Sequence, residues 1–206
     1  MIKQFGKNTA LVVIDAQVGV NDLKHWGGPN GRRNNPACEA NIASLLAAWR
    51  KAELPVIFTQ HDSRQQVSPL KVGQPGGAFL EGLGPVGDEL VVRKDVNSGF
   101  MGTRLELELR RRNITRLLCV GYFTNFCVET TVRMAGNMGY DTYLVHDACA
   151  TSNRVDIQGV DHPPELVHDL SVASMHGEFC TAMTTIQALA LQRADATNMR
   201  REQRNE

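Results

Sequence analysis

The feature that most constrains this chain is a recurrence: short runs of β-branched and other apolar residues, separated by stretches with helical spacing. The runs are "TALVVID" (9 to 15), "PVIFTQ" (55 to 60), "DELVVRK" (88 to 94), "RLLCVGY" (116 to 122) and "DTYLVHD" (141 to 147). They are apolar almost throughout rather than alternating, the pattern of strands covered on both faces. Between several of them lie segments with the period of packed helices, at 36–53, 103–113, 126–138 and 164–178, with a last one at 185–195. Strands and helices in alternation predict an α/β fold, a parallel sheet joined by crossover helices.

Other features bound the function. A chain of 206 residues, 42% hydrophobic and 21% charged, suits a single domain over 1–206, with 192–206 as a polar C-terminal tail. Lys plus Arg (22) balances Asp plus Glu (22), so no net field points to nucleic acid or to a membrane surface, and a small-molecule substrate fits better. The start reaches Asp15 within six residues of entering its first apolar run, unlike a signal peptide or a transmembrane span. The five cysteines, Cys38, Cys119, Cys127, Cys149 and Cys180, are odd in number and form no CxxC pair, which argues against a disulfide framework or a zinc knuckle and for a cytoplasmic setting. The stretch 68–89 carries six Gly and three Pro and is expected to be a long ordered loop, its 68–84 part a lid or binding loop.

Open parallel sheets bind ligands beyond the carboxyl ends of their strands, so the residues ending each run carry the chemistry. The first run ends at Asp15 and the third at Lys94, and the fourth passes through "GYFTNF" to Cys127. A carboxylate, an ammonium and a thiol at one sheet edge are the parts of a nucleophilic site. Cys127 is expected in the first turn of a helix, where free N–H groups and the helix dipole, together with Lys94, favour a thiolate. Asp15 would move the proton, and the backbone N–H groups of that turn would hold an oxyanion. Each residue alone has a plainer reading: a buried small hydrophobe, a turn residue, a solvated strand end.

At these positions the chain resembles the isochorismatase-like cysteine hydrolases, a superfamily that includes nicotinamidases, N-carbamoylsarcosine amidase, ureide amidases and isochorismatase. The matching stretches are "ALVVIDAQ" (10 to 17), "VVRKDVNSGFMGTRLE" (91 to 106), "GYFTNFCVETTVRMAGNMGYDTYLVHDACAT" (121 to 151) and "HGEF" (176 to 179). The resemblance implies a three-layer α/β/α, Rossmann-like hydrolase fold with a six-stranded parallel sheet, and an Asp15, Lys94, Cys127 triad. It further implies a cis peptide at Tyr122–Phe123, an oxyanion hole from the N–H groups of Phe123 and Cys127, and a homodimer or homotetramer. Nicotinamidases carry an Asp-x-His metal motif after the second strand, where this chain has His61 and Ser63 in "TQHDSR". No metal and no cofactor is therefore expected, with His61 and Asp62 the only remaining candidates for a cation.

The resulting expectation is a hydrolase acting on a carbon–nitrogen bond of a small amide, ureide or carbamoyl compound through a Cys127 thioester. An isochorismatase-type ether hydrolase, a thiol-based redox protein and a non-catalytic protein on the same fold are the alternatives. Gln17, Trp26, Phe100 and Phe123 are expected to wall the substrate pocket. Asn97 and Ser98 are expected to position the Lys94 loop or to hydrogen-bond substrate, and Cys149 to serve as core filler. His146, His162, His168 and His176 show no partner pattern and are read as core or surface residues.

Overall fold

A computed structural model describes residues 4–192. The elements in chain order are β1 (Thr9–Ile14), α1 (Leu23–Gly27), α2 (Cys38–Lys51), β2 (Val56–His61), β3 (Leu90–Lys94), α3 (Leu105–Arg111), β4 (Arg116–Tyr122), α4 (Glu129–Asn137), β5 (Asp141–Ala150), β6 (Arg154–Val155), β7 (Asp161–His162), α5 (Pro164–Met175) and β8 (Thr181–Met183). A further helix occupies 185–192 among the described residues. The expected helix at 185–195 therefore lies partly outside them, as does most of the tail at 192–206.

Six strands form one sheet in the order β3-β2-β1-β4-β5-β8, with every pairing parallel. The unbroken apolarity of β1 follows from its central place, because successive residues feed opposite layers and both layers are covered. Leu11 and Val13 join Phe58, Leu118 and Val120 under Trp49, Leu45 and Ile42 of α2, and Ala188 of the last helix packs into the same layer. Val12 and Ile14 join Ile57, Leu117 and Leu144 under Leu105 of α3, Val132 of α4 and Met175 of α5. The result is the three-layer α/β/α fold implied by the resemblance.

Strand order reverses between β1 and β4, which makes the crevice beyond their carboxyl ends the natural ligand site. Register sets what meets there. Ile14 lies opposite Thr59 on β2 and opposite Gly121 on β4, and His61 lies opposite Lys94 on β3. Gly121 has φ +123°, and a Cβ there would lie 2.0 Å from the Ile14 carbonyl oxygen, so only glycine lets β4 approach β1 just before the site. The next peptide bond, Tyr122–Phe123, is cis, as the resemblance implies.

Several boundaries differ from the sequence expectation. The helix read over 126–138 starts with a turn of π-helix at Thr124–Val128 before α4, and α5 stops at Met175 rather than 178. The sixth strand, β8, has only three residues, Thr-Ala-Met, too short to show a period. The 68–84 stretch is an ordered loop that folds back on the end of β1: Val18 N–H donates to Ala78 O (2.8 Å) and Leu80 N–H to Ala16 O (2.9 Å). A Cβ on Gly19 would lie 2.3 Å from the Pro69 carbonyl oxygen, so that contact also depends on glycine. No described helix is long and apolar enough to cross a membrane.

Candidate active site

Asp15 is the first residue past β1 and sits at φ +49°, a left-handed conformation that costs a non-glycine residue on the order of 1–3 kcal/mol. Thr59 holds it there. The Asp15 N–H donates to Thr59 O (3.3 Å) and Thr59 Oγ1 (3.2 Å), while Thr59 Oγ1–H donates to Asp15 Oδ1 (2.6 Å). The other carboxylate oxygen, Oδ2, accepts from Lys94 Nζ at 2.5 Å, in a pair whose side chains are 1% and 0% exposed.

Lys94 ends β3 beside His61, and its ammonium is fully engaged. Its three protons go to Asp15 Oδ2, to His61 Nδ1 (3.1 Å) and to the Val96 carbonyl oxygen (3.2 Å). Burial by itself would lower the Lys94 pKa, but the nearby Asp15 and Cys127 outweigh it and the net shift is upward, so Lys94 is cationic. His61 is shifted downward by burial and then by Lys94. Because an ammonium only donates, the neutral imidazole accepts through Nδ1 and carries its proton on Nε2.

Cys127 lies in the π turn, buried, with Sγ 3.8 Å from Asn97 Oδ1. Its sulfur, an Asp15 oxygen and a His61 nitrogen all lie within 4.8 Å of one another. The three strand-end residues expected from the sequence therefore converge. Their electrostatics differ from expectation in one respect. Burial pushes the Cys127 thiol well above its ordinary range, the Asp15 carboxylate pushes it further, and the pull of Lys94 does not compensate. The balance favours a thiol over the thiolate that a helix start and a nearby cation suggest, because burial, and then the Asp15 carboxylate, outweigh Lys94.

An oxygen, a nitrogen and a sulfur within 4.8 Å could in principle hold a metal ion. Here Lys94 takes both Asp15 Oδ2 and His61 Nδ1, and its charge repels a cation, so the donor set does not fit one. Asp62 points elsewhere, pairing with Lys71 Nζ (3.1 Å) and accepting from Val72 N–H (3.1 Å). Ser63 Oγ accepts from Gln65 N–H.

Sγ opens into a cavity of about 180 Å³. Trp26, Phe123, Phe126 and Leu70 give it an apolar wall, and His61, Ser63, Ser68 and Asn97 supply polar groups. The Trp26 ring lies 4.9 Å from Phe123, and its indole N–H donates to Gly19 O (2.8 Å), which fixes the ring's tilt. Two expected wall residues lie elsewhere. Gln17 is fully buried: its Nε2 donates to His61 O and Gly77 O (3.0 Å each), and its Oε1 accepts from His61 N–H (2.8 Å). A primary amide satisfies donors and acceptors that the end of β2 leaves open, so Gln17 ties β2 and the loop to β1. Phe100 packs in the core with Leu105 and Val128, its ring 5.9 Å from Tyr140.

Ser98 turns into the protein, against Met134 Sδ. Cys149 is fully buried in the core, as expected. Thr59, the residue that fixes Asp15, carries no signal in the sequence beyond its place at the end of an apolar run. His168, read as a core or surface residue, is buried and its Nδ1 lies 2.9 Å from Thr124 Oγ1, while Ser171 Oγ–H donates to Glu129 Oε2 (2.6 Å) at the start of α4. Helix α5 thereby fastens the turn that presents Cys127.

Residues 9–187 match the Isochorismatase domain family. The chain belongs to the isochorismatase family of hydrolases. Among its relatives in that family is the uncharacterized isochorismatase family protein YrdC of Bacillus subtilis, 38% identical over 180 residues, covering 87% of this chain and 94% of that one. Nicotinamidase 3 of Arabidopsis thaliana is 30% identical over 160 residues, covering 71% of this chain and 75% of its own length. A crystal structure of a putative hydrolase of the isochorismatase family from Chromobacterium violaceum superposes with a TM-score of 0.85 at 38% identity, covering 93% of this chain and 97% of that one.

Proposed function

We propose that this protein is a cysteine hydrolase that cleaves the carbon–nitrogen bond of a small amide, ureide or carbamoyl compound through a thioester on Cys127. The observation that carries the reading is the meeting of Asp15, Lys94 and Cys127, from three separate strand ends, with Cys127 lining a small cavity and the buried Asp15–Lys94 pair beside it. Relatives named nicotinamidase and ureidoacrylate amidohydrolase support the choice of an amide-type bond.

The electrostatics give the order of events. Since the resting sulfur is protonated, the thiol proton passes to Asp15 as Sγ attacks the substrate carbonyl, and a nearby base rather than a low pKa activates the nucleophile. The carbonyl becomes an oxyanion held by the backbone N–H groups of Phe123 and Cys127. Lys94 is held in place by His61 and Val96, so its fixed charge stabilises negative charge on either sulfur or carboxylate without moving. Collapse of the intermediate breaks the C–N bond, and Asp15 returns its proton to the departing nitrogen. Water then attacks the thioester, giving one proton to Asp15. The C–S bond breaks, the acid leaves, and Asp15 reprotonates sulfur.

Burial of the thiol and its raised pKa also weigh against the redox alternative, which needs an accessible thiolate. The test is ammonia release from a panel of small amides by the wild type and by Cys127→Ala. Turnover is expected from the wild type alone, with the variant lower by about 10⁴-fold or more. Equal rates in the two proteins would refute the mechanism.

A further inference from the structure

The cavity beside Cys127 combines an apolar wall with hydroxyl and amide groups, and its imidazole rings are His61 and, exposed at the rim, His25. Four cations around it are engaged elsewhere. Lys94 is spent on Asp15, His61 and Val96. Lys71 pairs with Asp62, and Arg64 pairs with Asp95 at 2.8 Å. Arg154 lies behind the wall, its guanidinium 4.9 Å from the centre of the Phe126 ring and donating to the Trp26 carbonyl oxygen (3.0 Å). Its far side is thus screened by the ring that faces the substrate. Among the described residues, no Lys or Arg side chain lines the cavity.

We infer that the acyl half of the substrate is uncharged and about the size of one ring or a short branched chain, so that carboxylate-bearing amides are rejected. This rests on the amidase reading above and adds the substrate class. A carboxylate moved from water into such a wall would lose its hydration and gain no counter-charge. A flat or branched neutral group would instead meet Trp26, Phe123 and Leu70. The volume, about 180 Å³, slightly exceeds that of a cavity of roughly 150 Å³ known to take up benzene. His61 adds direction. Its Nδ1 is occupied by Lys94, its ring lines the cavity, and its Nε2–H has no protein acceptor among the described residues. That N–H is therefore free to bond a neutral acceptor on the acyl group.

The experiment uses three probes: benzamide, succinamide and succinamate. The last two have the same shape and differ by one charge. Ammonia release by the wild type should favour benzamide and succinamide over succinamate by about 100-fold or more in kcat/KM. The same three compounds are titrated into Cys127→Ala by calorimetry, which reads charge selection without chemistry. Neutral probes bound and succinamate not bound supports the inference even if none is turned over, an outcome that would count against the amidase reading alone. Succinamate bound or hydrolysed as well as succinamide overturns it, and so does failure of all three to bind. Gln65 is exposed at the cavity rim, and Gln65→Arg should narrow the succinamide-to-succinamate ratio at least tenfold by supplying the missing charge. An unchanged ratio in that variant would also contradict the inference.

Discussion

Cys119 and Cys127 are eight residues apart, buried in the same core layer, and both thiols are pushed well above their ordinary range by burial. What separates them is their company. Cys119 sits inside β4 with another thiol, Cys180, as its electrostatic neighbour, whereas Cys127 stands beyond the strand with a carboxylate and an ammonium beside it. Desolvation alone makes a thiol inert; a base within reach makes the same buried thiol a nucleophile on demand. In this protein reactivity comes from adjacency rather than from a resting thiolate.

The sharpest way to break that contrast is to remove the base. Asp15→Asn keeps the shape and should lower kcat by about 10²–10⁴-fold. Cys119→Ala should leave kcat unchanged and cost only about 1 kcal/mol in a urea melt. A Cys119→Ala protein as inactive as Asp15→Asn would erase the distinction.

Lys94→Met comes next, because it leaves the buried Asp15 carboxylate without its partner. We expect a loss of about 3–5 kcal/mol of stability, with catalysis reduced in whatever remains folded. Retention of full stability would mean that the pair is not desolvated as the structure shows.

Iodoacetamide probes the resting state of the sulfur. The raised Cys127 pKa means that the thiol is protonated through neutral pH, so alkylation without substrate should be slower than that of a free cysteine and should accelerate only as the solution becomes strongly alkaline. Rapid alkylation at pH 6–7 would restore the thiolate picture.

His168 extends the comparison to a buried group with no charge partner in contact. Burial, and then His146, lower its pKa to about 4. The folded state thus binds a proton less readily than the unfolded chain, whose histidine titrates near 6.5. The stability this neutral ring contributes is complete above about pH 6.5 and falls as the pH drops towards 4, by roughly 3 kcal/mol. Thermal melts of His168→Gln should show a shallower loss over that window. An unchanged slope would assign the acid sensitivity to other groups.

How much of this was legible in the sequence follows from where each residue's signal resides. Asp15, Lys94 and Cys127 each terminate or follow an apolar run, so a parallel sheet brings them to one edge whatever the details. Trp26 and Phe123 are aromatic residues next to that edge, and they do line the cavity. Gln17 and Phe100 are equally close along the chain, yet one binds backbone and the other enters the core. Their fate depends on how loop 68–84 folds back and on which side of the sheet the Lys94 loop packs. Thr59 became visible only through strand register, which sets it opposite Ile14 and within reach of Asp15.

The sequence by itself determined the doubly covered parallel sheet, through unbroken apolar strands, and the three reactive groups, through their places at strand ends. The tertiary structure decided how those groups behave. Charge states depend on desolvation and on contacts of a few ångströms, which linear spacing does not encode. Only the packed site shows Lys94 committed to Asp15, the Cys127 thiol shifted upward by burial, and a cavity lined by no Lys or Arg among the described residues.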